Sequence, residues 1–151
     1  MIVAMVVLAI TVPIVFGSLK AYDRSRVETS LISEINRFIS QVQLIYISGP
    51  GNSAVISFDA SDSSFARIGN VTFGSPPGGS MASVIRYTIS GQAEQMVQIL
   101  SPSVPVMSQD NGTFIIYSGV HDIRAECVSG AADLNGDGIA NDSYVRLCIV
   151  Q

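Results

Sequence analysis

Residues 1–19 read MIVAMVVLAITVPIVFGSL, with no charged side chain; every Asp, Glu, Lys and Arg lies at or beyond Lys20. At the standard rise a helix of this stretch is about 28 Å long, close to the hydrocarbon thickness of a bilayer. A secretory signal peptide fits it poorly. No basic segment precedes it, no small-residue cleavage site ends it, and the helical pattern runs on without a break. Past Lys20 the pattern turns amphipathic. Val27, Leu31, Ile35, Phe38, Val42 and Ile45 recur at spacings of four and three and form one apolar stripe. Asp23, Arg24, Arg26, Glu28, Glu34 and Arg37 occupy the other faces, and Gly49-Pro50-Gly51 stops the helix.

The spacing therefore predicts one helix from about residue 3 to residue 48, roughly 65–70 Å long. A compact domain of this size has no need of such a helix, so half of it must be buried in lipid or in copies of itself. Left bare in water, residues 1–19 would expose about 1,000 Å² of apolar surface, about 25 kcal/mol by area. That exceeds the roughly 5–15 kcal/mol that stabilises a whole domain. Pro13 removes a backbone donor inside the apolar half, and Thr11 and Gly17 weaken the helix beside it. Residues 11–17 are thus expected to bend or melt, either for a task or as an ordinary kink. Lys20, Arg24 and Arg26 follow the apolar run and nothing basic precedes it, which opposes an exported C-terminal part by the positive-inside rule. A short basic leader, removed on maturation, would resolve the conflict.

An uncharged apolar helix continued by an amphipathic half, then the junction Tyr46-Ile-Ser-Gly-Pro-Gly-Asn-Ser-Ala-Val-Ile-Ser-Phe58, resembles archaeal type IV pilin-like proteins with class III signal peptides. The resemblance covers about residues 1–58. It implies a structural subunit of a pilus or archaellum-like extracellular filament, used for adhesion or motility. Such a subunit would be held in the membrane before assembly and polymerised at a pilus assembly platform. Its partners would be copies of itself in a helical filament, packed through Val3, Val7, Ile10, Pro13 and Ile14. One departure stands out. Many pilins carry Glu at the fifth mature position, where this chain has Met5, and no acid appears before Asp23.

From Ser53 the periodicity changes to alternation. Candidate strands cover 53–59, 65–73, 83–90, 95–101, 113–118, 120–128 and 143–150, separated by Gly, Pro, Ser and Asn punctuation. The expected class is α+β: the long helix (1–48), a hinge (49–52), and a small antiparallel β-sandwich or barrel-like outer domain (53–151). Asn70-Val-Thr72, Asn111-Gly-Thr113 and Asn141-Asp-Ser143 are N-glycosylation sequons, which favour an exported surface.

The most chemically specific segment is Asp133-Leu-Asn-Gly-Asp-Gly-Ile-Ala-Asn-Asp142. Oxygen side chains fall at relative positions 1, 3, 5 and 9 with Gly138 at position 6, the front half of a calcium loop, and it resembles the loops of dockerins. Asp133, Asn135, Asp137, Ile139 (by its carbonyl), Asn141 and Asp142 are the candidate calcium ligands. Position 12 is Tyr144 where a bidentate acid is usual, so Asp142, or Asp122 or Glu126 from a neighbouring strand, would have to complete the shell. The competing reading is a polar Asn/Gly turn without metal. Cys127 and Cys148 flank this loop. They lack zinc spacing and leave either a disulfide, expected outside the cell, or two core thiols. Strict hairpin register does not set them opposite one another.

The formal net charge of −4 argues against nucleic acid as a partner. No catalytic constellation appears. His121 is the single His, there is no GxSxG or HExxH, and the glycines near Pro76 do not form a phosphate loop. A structural role is expected, not an enzyme. The alternatives are a membrane-anchored binding module, calcium-dependent or not, and a secretion pseudopilin.

Overall fold

A computed structural model describes all residues except 1, 100–102, 135–137, 139 and 151; at 2–8, 10, 98, 131 and 132 it describes the backbone alone. Among the described residues one helix, α1 (Ile2–Ile47), leads into eight strands. These are β1 (Ser53–Ala60), β2 (Ile68–Phe73), β3 (Val84–Ile89), β4 (Gln95–Gln98), β5 (Val106–Ser108), β6 (Phe114–Ile116), β7 (Gly119–Ala132) and β8 (Asn141–Ile149). They form two four-stranded sheets, ordered β1-β7-β8-β5 and β4-β3-β2-β6, and among the described residues no barrel closes.

The helix ends where the sequence says it should, by hydrogen bonds that the glycines permit. Gly49 and Gly51 have φ of 86° and 89°, the left-handed region that favours glycine. Asn52 donates its side-chain amide to the carbonyls of Ser48 (2.7 Å) and Gly49 (3.0 Å), satisfying acceptors that the helix leaves open. Gly51 N–H then donates to the Cys127 carbonyl at 2.9 Å, which launches β1 alongside β7.

All six residues of the stripe from Val27 to Ile45 are buried, and Ile39 joins them. Alternation holds in the sheets. In β1, Ile56, Phe58 and Ala60 turn inward; in β7, Ile123, Ala125 and Cys127 do; in β8, Val145 and Leu147 do. An aromatic cluster joins the three layers. Phe38 of the helix meets Phe58 of β1 at 5.7 Å between ring centroids and Phe73 of β2 at 5.0 Å, and Phe58 meets Phe73 at 5.7 Å. One core is thus shared by the helix and both sheets.

Three expectations are corrected. Residues 106–108, given no strand between those expected at 95–101 and 113–118, form β5, which runs parallel to β8 (Val106↔Val145), so the first sheet is not purely antiparallel. Pro105 hid it: a proline lacks the donor but its carbonyl still accepts from Val145 N–H at 2.9 Å. The strand expected at 65–73 begins only at Ile68, because 63–66 is a tight turn in which Ser63 N–H donates to the Ala66 carbonyl (2.9 Å). The strand expected at 120–128 runs on to Ala132, with a register shift between Ser129 and Ala132. Just past β2, Gly74 has φ of 67°, and an added Cβ there would lie 1.8 Å from the Val106 carbonyl oxygen of β5, so the close approach requires glycine.

Candidate functional site

The long helix divides at its first charged turns. C-terminal to them its apolar stripe lies under the sheets. N-terminal to them, Val12 (52%), Ile14 (61%), Val15, Phe16 (51%) and Leu19 stay exposed, and Tyr22 is exposed beside them. By helical spacing Val12, Val15, Phe16, Leu19 and Tyr22 share one side of the helix and Ile14 stands on another, so no single covering surface hides them all. Leu44 and Ile47, at the other end, are also exposed. Pro13 lies inside the helix without breaking it, so the expected melting of 11–17 is not found; Ser18 Oγ donates to the Ile14 carbonyl at 2.9 Å. Pro13 and Ile14 are described, whereas the side chains of Val3, Val7 and Ile10 lie outside the described residues. Among the described residues no helix is long and apolar enough to cross a membrane.

The boundary is a polar collar. Asp23 accepts from the Ser63 hydroxyl and from Phe65 N–H (3.0 Å). Arg24 donates to the Ser90 carbonyl, one residue before the left-handed Gly91. Glu28 accepts from the Tyr87 hydroxyl at 3.3 Å. Burial first, then the Glu28 carboxylate, push the Tyr87 phenol above its ordinary pKa. Lower down, Arg37 pairs with Glu34 at 2.6 Å and donates to the Ser57 carbonyl. The Phe65 ring stands edge-on to Phe16 at 5.9 Å, the outermost contact between the helix and the β region among the ring pairs. Beside the collar a cleft of about 230 Å³ opens between Asp23, Arg26, Ser30, Asp59 and Ser63. Sequence reasoning assigned these charges to solvent faces and missed the clamp. The available signal was the position of Asp23, Arg24, Glu28 and Glu34, each three or four residues from a buried stripe residue, where a charged tip reaches the rim of whatever covers the stripe.

The acidic loop is partly visible. Asn135, Asp137 and Ile139 lie outside the described residues. Gly138 has φ of 86°, the sharp turn expected at position 6, and its N–H donates to Asp133 Oδ2 at 2.9 Å. Asn141 Oδ1 accepts from Leu134 N–H at 3.0 Å. Leu134 is buried, and its carbonyl accepts from Gly78 N–H at 3.2 Å, which ties the loop to the Pro76–Gly79 turn. The described part closes by its own hydrogen bonds, and among the described residues no group of three His, Cys, Asp or Glu gathers. Glu126 is paired with Arg146 at 2.9 Å, and Glu126 and Asp122 both stand well down β7, about 20 Å or more from the loop at strand rise.

The cysteines are free thiols, contrary to the expected disulfide. Cys127 sits opposite Val145, and Cys148 opposite Arg124, an offset of three residues. An odd offset sends the side chains to opposite faces. Cys127 is buried in the core, where burial raises its pKa against a lowering hydrogen bond from Ser143, and Cys148 is half-buried. His121 Nε2 lies 2.9 Å from the Tyr117 carbonyl. Comparison with protein families, with characterised proteins and with solved structures finds no match to this chain.

Proposed function

We propose that this chain is the structural subunit of an extracellular filament of the archaeal type IV pilin kind, polymerised through its N-terminal helix. The observation that carries the reading is the contrast within one helix. The stripe from Val27 to Ile45 is satisfied inside the chain, while Val12, Ile14, Val15, Phe16 and Leu19 are left in the open. Exposed apolar surface of this extent calls for a partner. A helix surrounded by copies of itself would cover all of its sides at once, which one flat partner surface would not. Before assembly the same residues would rest in lipid, and an assembly platform would transfer them to the filament. The two sheets, with the aromatic cluster between them, would act as a sandwich-like outer domain, and no catalytic role is assigned to it.

The membrane-anchored binding module is the second reading. It uses the same exposed helix but needs no copies, and the acidic loop would then be its calcium site, with Asp133 and Asp142 as the described acids. Calcium at that position would tie a charged loop to the β7–β8 hairpin without taking part in any reaction.

Negative-stain electron microscopy of material sheared from cells, with mass spectrometry of the principal band, tests the choice. Long fibres made of this chain support the polymer. Membrane-bound monomer without fibres overturns it in favour of the anchored module. In fibre-forming material, Ile14→Asp should abolish fibres while the isolated protein keeps its β-sheet circular dichroism.

A further inference from the structure

The three sequons stand in different structural settings. Asn70 lies in β2, a strand hydrogen-bonded on both sides, to β3 and to β6. Its Nδ2 donates to Thr72 Oγ1 at 3.3 Å, and its Oδ1 accepts from the Thr88 hydroxyl. Thr72, whose hydroxyl a glycosylating enzyme must read, is buried. Asn141 opens β8, and its Oδ1 holds Leu134 N–H. Ser143, the third residue of that sequon, sits in the ladder opposite Ser129. In both places the carboxamide is already bonded within the fold and the recognition residue stands in a strand ladder.

Asn111 differs. It stands on the turn that carries the chain from β5 in one sheet to β6 in the other. The turn satisfies its own backbone. Asn111 N–H donates to the Ser108 carbonyl (3.1 Å), Ser108 N–H to the Gly112 carbonyl (2.9 Å), and Gly112 N–H to Ser108 Oγ (3.0 Å). Asn111 has φ of 56°, the one non-glycine residue in the left-handed region among those described. Asn tolerates that conformation, and here it is exposed. Among the described residues neither its carboxamide nor the Thr113 hydroxyl has a hydrogen-bond partner, and Thr113 is only half-buried.

We propose that Asn111 is the N-glycan acceptor of the folded chain, and that Asn70 and Asn141 are silent sequons. The donor is a lipid-phosphate- or lipid-pyrophosphate-linked oligosaccharide. Nδ2 of Asn111 forms a bond to the anomeric carbon. The bond from that carbon to the phosphate oxygen breaks, and its electron pair leaves with the lipid phosphate. One of the two Nδ2 protons goes to an enzyme base or to water, and the other stays on the new secondary amide. A glycan there would shield the link between the sheets and add a bulky polar surface at the turn. The assignment does not depend on whether the chain polymerises.

The test uses the full folded chain in mild detergent, a single-subunit oligosaccharyltransferase that reads N-x-S/T alone, and a lipid-linked oligosaccharide donor. Occupancy at each Asn is read by glycopeptide mass spectrometry, with the urea-unfolded chain as the control for sequon competence. Asn111 should be occupied at least about tenfold more than Asn70 or Asn141 in the folded chain, since those two require local opening first. Unfolding should shrink that ratio. N111Q should remove the modification from the folded chain without changing its circular dichroism. Comparable occupancy at Asn70 or Asn141 before unfolding overturns the proposal, as does an Asn111 modified only after unfolding.

Discussion

Two stretches of one helix, residues 12–22 and residues 27–45, are both apolar, yet one is uncovered and the other lies beneath two sheets. The difference is in pattern rather than in hydrophobicity. The second stretch concentrates its apolar residues in one stripe, so that one partner surface buries it, and its flanking acids and arginines reach the rim and clamp it. The first stretch, uncharged up to Lys20, carries Val12, Val15, Phe16, Leu19 and Tyr22 on one side and Ile14 on another, so a single surface does not cover it. A chain can supply a lid for a stripe; it cannot easily supply a sheath for a cylinder.

The largest effects come from breaking this contrast at its two ends. Phe38, fully buried against Phe58 and Phe73, should lose about 3–5 kcal/mol on Phe38→Ala, lowering the melting temperature of the isolated protein by roughly 10 °C. Ile14→Ser, on the exposed stretch, should change that temperature by less than about 2 °C. Equal melting shifts in calorimetry would mean that residues 12–22 are already buried in the isolated chain, and the contrast would be gone.

How much was legible follows from what kind of physics each element uses. The stripe from Val27 to Ile45 was readable because periodicity alone specifies it, and all six residues are buried. The stop at Gly49-Pro50-Gly51 was readable because two left-handed positions need glycine. β5 was not, because three residues paired in parallel to a strand more than thirty positions away leave no local trace. Nor was the free state of Cys127 and Cys148, since it depends on a strand register that a bulge near Ser129 adjusts. The collar was invisible for a third reason. Asp23 and Arg24 look like ordinary solvated charges until the 63–66 turn and the Ser90 carbonyl are brought to them.

Loosening the collar sharpens the comparison at its boundary. Asp23→Ala removes the acceptor of both Ser63 Oγ–H and Phe65 N–H, and should cost about 1–2 kcal/mol. Hydrogen exchange should then quicken at Phe65 and Ala66, with β7 unchanged. Calcium should act on a different region and by less. At a few millimolar calcium, a loop with the affinity of extracellular modules would gain about 1 kcal/mol, seen as a melting shift that a chelator reverses and Asp133→Asn abolishes. No shift would leave the loop as the self-closed turn that its described hydrogen bonds already explain.

The smallest effect is a dependence on pH, and it reports on Tyr87, which burial and the Glu28 contact tie to the buried half of the helix. Burial and the Glu28 carboxylate hold the Tyr87 proton more tightly in the folded protein than in the unfolded chain. An unfolded tyrosine ionises near pH 10, at about its ordinary value. Below that pH both states keep the proton and the contribution to stability is constant. Above it the unfolded chain releases its proton first, so it binds fewer protons than the folded one and stability falls as pH rises toward the folded pKa. The Cys127 thiol, also raised by burial, adds a decline of the same sign that begins lower, near about pH 8.5. Tyr87→Phe should therefore leave the first decline in place and flatten the second in urea titrations taken at successive pH values. Parallel slopes for the two proteins above pH 10 would mean that the phenol is neither buried nor held against the Glu28 carboxylate in solution.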